Sequence, residues 1–189
     1  MPQLIPTSRK WTTADLELLE YDEWNRYEII DGELFVTHAP HLNHQNSIGK
    51  IYAKLLSWSQ QTRLGETFIN PGLIFTDTDN VIPDLVWVSK EKLVTIVDEK
   101  GHFTAAPELV VEVLSAGSGN EQRDQEAKLK LYAAQGVQEY WIVNWRSPQV
   151  EIYRQENTQI SLIGTFFPID SINSPLLPGF ECLVGEFFQ

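Results

Sequence analysis

PELVVEVLS (residues 107–115), NEQRDQEAKLKLYAAQG (residues 120–136) and VQEYWIVN (residues 137–144) follow one another with only a short polar gap after the first. The first and last are apolar, β-branched runs that predict buried strands. The middle one predicts a helix closed by Gly136. A strand–helix–strand unit of this length is a parallel crossover, which packs the helix back across its sheet. Within the first strand, Glu112 stands between β-branched neighbours, and a carboxylate there is costly to bury without a partner. In the helix, Asp124, Lys128 and Tyr132 recur at i, i+4 and i+8 and share one stripe. Lys128 can therefore return towards Glu112.

The rest of the chain fits around this unit. At 189 residues it predicts a single α/β domain, residues 1–189, with a sizeable core. Its 42% hydrophobic and 11% aromatic content exclude a disordered chain. No apolar run approaches the roughly 18 residues of a membrane span, so no membrane partner is expected. MPQLIPTSRKW lacks a long apolar segment and a small-residue cleavage site, and Cys182 is the one cysteine. Both features predict a reducing, cytoplasmic setting. The net charge of −12 argues against broad affinity for nucleic acid, which needs clustered Lys and Arg. Much of the acid lies early: eight carboxylates fall within residues 15–33, relieved only by Arg26. Most of these read as a solvated face.

In chain order, Thr12 or Thr13 caps a short helix over ADLELLE. RYEIIDGELFV then predicts a hairpin through a two-residue type I′ turn at Asp31-Gly32. In that register Ile30 faces Glu33 and Glu28 faces Phe35, which sets both glutamates on one face. Ile48, Ile51, Tyr52, Leu55 and Trp58 mark a helix over residues 43–60. ETFIN, GLIFT and VIPDLVWVS read as strands, with Pro83 at an edge, a bulge or the start of the last. QVEIYRQ and TQISLIG predict a hairpin, and LLPGFECLVGEFF a final strand or turn. The aromatic residues of that tail are expected on an exposed strand, which would suit a homodimer.

Asp84, Glu112 and Lys128, with Glu28, are the residues most suited to chemistry. Phosphodiester hydrolysis needs a cation to neutralise charge and activate water, and hard cations take carboxylate oxygens while keeping waters of their own. A lysine nearby can orient that water. The same residues also read structurally, as a buried Glu112–Lys128 ion pair with Asp84 capping a turn. His38, His41 and His44 are spaced by three, but Pro40 interrupts any helix through the first two. Lys50 and Lys54 lie one turn apart, facing either phosphate or simply solvent.

Six motifs in order, RYEIIDGEL, IPDLVWVS, PELVVEVLS, the Asp124–Lys128–Tyr132 series, GVQEYWIV and LLPGF, resemble the Uma-two family of restriction-endonuclease-like proteins. That family is similar to the PD-(D/E)XK nuclease superfamily, and the resemblance spans about residues 11–188. It implies a restriction-endonuclease-like mixed sheet flanked by helices, a nuclease acting on DNA, and Mg2+ or Mn2+ as cofactor. Asp84 matches the aspartate of the PD motif and Glu112 the acid of (D/E)XK, making them the expected metal ligands. Leu114 stands where the superfamily has its lysine. The family supplies that lysine from the following helix, which matches Lys128, and Glu28 matches an additional N-terminal acid. Glu33, His44, Asp124 and Tyr132 are candidate neighbours. The rival reading is a binding or scaffold protein that keeps the fold without turnover. Clustered carboxylates also imply that neutralising Asp84 or Glu28 costs the metal-free protein no stability.

Overall fold

The computed structural model describes residues 9–20, 24–38, 40–115, 121–156 and 159–188; the side chains of residues 121–124 fall outside that description. In chain order the elements are α1 (Thr13–Leu16), β1 (Asn25–Ile30), β2 (Glu33–His38), α2 (Leu42–Thr62), β3 (Gly65–Ile69), β4 (Leu73–Thr76), β5 (Asp79–Val81) and β6 (Leu85–Ser89). They continue with α3 (Lys90–Ile96), β7 (Leu109–Val113), α4 (Glu121–Gln135), β8 (Glu139–Asn144), β9 (Gln149–Glu156), β10 (Gln159–Phe166), β11 (Ser171–Ser174) and β12 (Leu177–Leu183), ending in a 3-10 turn over Val184–Phe187.

Six strands form the main sheet in the order β10-β9-β8-β7-β6-β3. The β7–α4–β8 unit supplies its parallel pair, Leu109 beside Glu139 through Val113 beside Val143. Gly136, at φ 83°, ends α4 in the left-handed region, where a side chain is unfavourable. A second sheet, β2-β1-β5-β4, carries the N-terminal hairpin. Its turn has positive φ at both Asp31 (50°) and Gly32 (74°), and Ile30 faces Glu33 as the type I′ geometry requires.

Alternation along β7 divides the core. Leu109, Val111 and Val113 pack with Ile48, Ile51, Leu55 and Trp58 of α2 on one side of the main sheet. Val110 packs on the other side with Leu131 and Tyr132 of α4 and with Ile30 of the hairpin. Glu112 has the parity of Val110 and so emerges beneath α4. Truncating a core residue such as Trp141, which is fully buried, carries the roughly 3–5 kcal/mol of a large cavity.

Four expectations need correction. VIPDLVWVS is not one strand: β5 belongs to the hairpin sheet and β6 to the main sheet. Pro83 offers no N–H to a ladder, and the Asp84 carboxylate instead accepts the Val113 N–H at 2.9 Å where β6 has not yet begun. The aromatic tail is not exposed, because Phe180 and Phe187 pack into the α2-side core. That removes the premise for a homodimer drawn from it. The first helix is shorter than expected: Asp15 caps its start at the N–H and hydroxyl of Thr12, but it ends at Leu16, and Leu18 beyond it is exposed and gains no packing that would extend it. Finally, the tail pairs β12 with an unforeseen β11, whose sequence SINS has almost no apolar content.

Candidate active site

Four elements converge on one buried cluster. β1 contributes Arg26 and Glu28, which are two apart and therefore on the same face. Asp84 comes from the break before β6, Glu112 from β7, and Lys128 and Tyr132 from one stripe of α4. Lys128 Nζ lies 3.0 Å from Glu28 Oε2 and 3.1 Å from Glu112 Oε1. The Tyr132 hydroxyl donates to the same Glu112 Oε1 at 2.9 Å, and the backbone N–H of Ile82 donates to Glu28 Oε1 at 2.7 Å. Around Asp84, Arg26 Nη1 donates to Oδ1 at 3.1 Å, while His44 Nε2 lies 3.3 Å from Oδ2. Arg26 also donates to the carbonyl of Ile82 and to Asn70 Oδ1.

The two central acids are driven apart in acidity. Burial pushes Asp84 up, but the hydrogen bond from His44, the charge of Arg26 and the Val113 N–H together bring it below the usual range. Burial pushes Glu112 up to about 8; Lys128 offsets only part of this, and the charges of Asp84 and Glu28 add to it. Tyr132 is raised well above its ordinary value, by burial first and the Glu112 charge second, so it remains a donor. Glu112 is therefore the acid of the pair that holds a proton more readily. Glu28 and Asp84 are then matched by Lys128 and Arg26, which is how a buried cluster of this size avoids an uncompensated charge.

The donor set suits a hard divalent cation. Both hydrogen bonds to Glu112 arrive at Oε1, so among the described residues its Oε2 has no protein partner. A carboxylate offers about four acceptor positions, and the contacts to Asp84 from Arg26, His44 and Val113 use three of them. Among the described residues no three His, Cys, Asp or Glu side chains gather as a metal cage. A two-carboxylate site completed by water is what Mg2+ tolerates.

The remaining sequence-named residues are placed as follows. Glu33 is exposed beside the hairpin turn, across from Ile30 rather than beside Glu28. The Asp124 side chain lies outside the described residues. His41 caps α2, accepting from the N–H of Asn43, and stacks on Trp145 at 4.6 Å. His38 contacts Asn25 at 2.6 Å. Lys54 pairs with Glu186, and Lys50 is half-buried. Two participants escaped the sequence reading. Arg26 was legible as the one base in an acidic run, with the parity of Glu28. Asn70, held at φ 48°, left no signal.

The mixed sheet flanked by helices, with its N-terminal hairpin, is a restriction-endonuclease-like fold. Residues 14–185 match the family model of Uma2, described as "Putative restriction endonuclease", and the chain belongs to that family. It is similar in structure to a putative nuclease belonging to DUF820 from Anabaena variabilis ATCC 29413. The TM-score is 0.76 at 18% identity, over 94% of this chain and 97% of that one, a likeness of fold. No curated protein sequence matches.

Proposed function

We propose that this chain is a metal-dependent endonuclease that hydrolyses phosphodiester bonds of nucleic acid, DNA first among them, with Asp84 and Glu112 as ligands of Mg2+ or Mn2+. The observation that carries this reading is the buried Lys128 ammonium set between Glu28 and Glu112. Held by the two carboxylates, a divalent cation would neutralise charge on the phosphate and make water a better nucleophile. Lys128 then stands beside Glu112, where a lysine at position 114 would otherwise be, and orients the attacking water. Glu28 holds that ammonium from its second side, fixed in turn by the Ile82 N–H. Tyr132 steers Glu112 through Oε1. Arg26 and His44 hold Asp84 in one orientation.

A second reading, a protein that keeps the nuclease fold for binding alone, draws on the same network. Both oxygens of Asp84 already have partners within the chain. Cleavage assays on several DNA and RNA substrates with Mg2+ and Mn2+ separate the two. Turnover in the wild type that disappears in Asp84→Ala supports the nuclease. No turnover with any substrate and either metal leaves the binding protein.

A further inference from the structure

β10 closes one end of the main sheet and β3 the other. The two edges differ. A bulge between Leu162 and Gly164 breaks the ladder of β10, a common guard against further pairing. β3 pairs with β6 in unbroken register and contains no proline. The Lys90 N–H donates to the carbonyl of Leu64 at 3.0 Å, and the Asn70 N–H to that of Asp84 at 3.0 Å. Residues 64, 66, 68 and 70 therefore spend their backbone groups on β6. Antiparallel alternation turns the N–H and C=O of Gly65, Thr67 and Ile69 the other way. Among the described residues none of these outward groups has a backbone partner, and main-chain polar groups call for one.

This edge lies in a cleft of about 470 Å3 between β3 and α2, within the roughly 300–1,000 Å3 of ligand sites. Tyr52, Leu56 and Gln60, each one turn beyond the last, form a wall that is apolar first and polar towards the end of the helix. At that end stand Arg63 and Lys90, both exposed and, among the described residues, without an ion pair. The described lining holds one acid, Glu66, although the chain carries a net charge of −12. The carbonyls of Trp58 and Ser59 are already taken by the Thr62 hydroxyl and the Arg63 N–H, so neither cation is needed to cap α2.

We propose that this cleft takes the C-terminal segment of another protein, extended and antiparallel to β3, with its terminal carboxylate at Arg63 and Lys90. Three features select that occupant. An added strand gives Gly65, Thr67 and Ile69 their hydrogen bonds, while its alternate side chains reach the wall of Tyr52 and Leu56. Only Arg63 and Leu64 link α2 to β3, so the cleft is closed at that end and suits a chain that stops there. Antiparallel entry brings a carboxylate to the two cations, whereas parallel entry would bring an ammonium. A second copy of this chain fits less well, because two molecules of charge −12 repel. None of the residues proposed for catalysis lines this cleft.

The test begins with binding of the full chain to an array of random hexapeptides with free C-termini. The tightest of them, labelled at its N-terminus, is then followed by fluorescence anisotropy. Amidating its C-terminus should weaken binding at least tenfold, as should Arg63→Gln combined with Lys90→Gln, with an unchanged melting temperature verifying the fold. Methylating single peptide nitrogens should abolish binding at alternate positions only, since one side of an added strand pairs with β3. Hydrogen exchange followed by NMR needs no variant: bound peptide should protect the amides of Gly65, Thr67 and Ile69 and leave those of Glu66 and Phe68 as they were. No binder in the array, equal affinity for the amidated peptide, or unchanged exchange at those three amides overturns the proposal. Self-association of the chain that protects the same amides would assign the edge to a second copy and overturn it as well.

Discussion

Lys128 Nζ sits 3.1 Å from Glu112 Oε1, bridging sixteen positions of sequence and two different elements. Leu114, two residues beyond Glu112 and just past the end of β7, packs on the same side of the sheet and has no charge to offer there. An ammonium carried by the crossover helix thus occupies the neighbourhood that a strand lysine would fill. Replacing Lys128 by Ala should leave metal binding in place and lower turnover by roughly 10²–10³, the scale of losing one transition-state donor. It should also cost about 3–5 kcal/mol of metal-free stability, because two buried acids lose their shared partner. Leu114→Lys in that background should restore part of the turnover. Full activity in Lys128→Ala would remove the lysine from the mechanism.

Metal binding should be visible in stability alone. With free Mn2+ at a hundredfold excess over its dissociation constant, unfolding free energy should rise by about 2.7 kcal/mol. Asp84→Asn should show no such increment in a calorimetric melt. The same upward shift in wild type and variant would place the ion elsewhere.

The metal-free response to Asp84→Asn reverses what repulsion among clustered carboxylates implies. Asp84 is held below its ordinary range by His44, Arg26 and the Val113 N–H, so it is a favourable partner and not a strained one. Removing its charge strands Arg26 in a largely buried position and should cost roughly 3–5 kcal/mol in urea unfolding. Glu28→Gln should destabilise in the same direction through Lys128. A variant as stable as wild type without metal would mean that Arg26 finds another anion.

Glu112 sets a pH dependence of opposite sign. Its acidity in the folded protein lies at about 8, against an ordinary value of 4.5. Between those values the folded state holds a proton that the unfolded chain releases. The stability linked to this group is therefore complete below about pH 4.5 and is lost as pH rises towards 8, on the order of a few kcal/mol. Asp84, shifted the other way, contributes above its ordinary value of 3.8, and that contribution is lost as pH falls through its lowered value. Denaturant melts of the EDTA-treated protein from pH 5 to 8 should show a decline that Glu112→Gln abolishes. Mn2+ should bind more tightly as pH approaches 8, with proton release measurable by titration calorimetry in two buffers.

Local sequence pattern was a good guide wherever one interaction set the outcome. The Asp31-Gly32 turn and its register follow from backbone preference, and the β7–α4–β8 unit from apolar period and length. Glu112 and Lys128 were readable because a charged residue in an apolar run demands a partner. The same rule did not tell chemistry from scaffolding. Glu108 and Glu139 are also buried acids of this stretch, yet Glu108 accepts from Ser89 and Glu139 from Trp141 and Arg154. Nothing in the run of residues separates them from Glu112. Arg26 and Asn70 join the cluster through contacts 58 and 44 positions away, to Asp84 and to each other, which no local pattern encodes. The division of VIPDLVWVS between two sheets is likewise a property of packing.

That division has a mechanical consequence. Ile82, Pro83 and Asp84 are the three residues by which the chain passes from the hairpin sheet to the main sheet. Ile82 is clasped through its N–H by Glu28 and its carbonyl by Arg26, and Asp84 clasps β7 through Val113. The groups proposed for catalysis are thus also the rivets of a joint between two plates. Loosening any of them should let the plates work against each other, and faster hydrogen exchange at the Ile82 and Val113 amides would report the play in that joint.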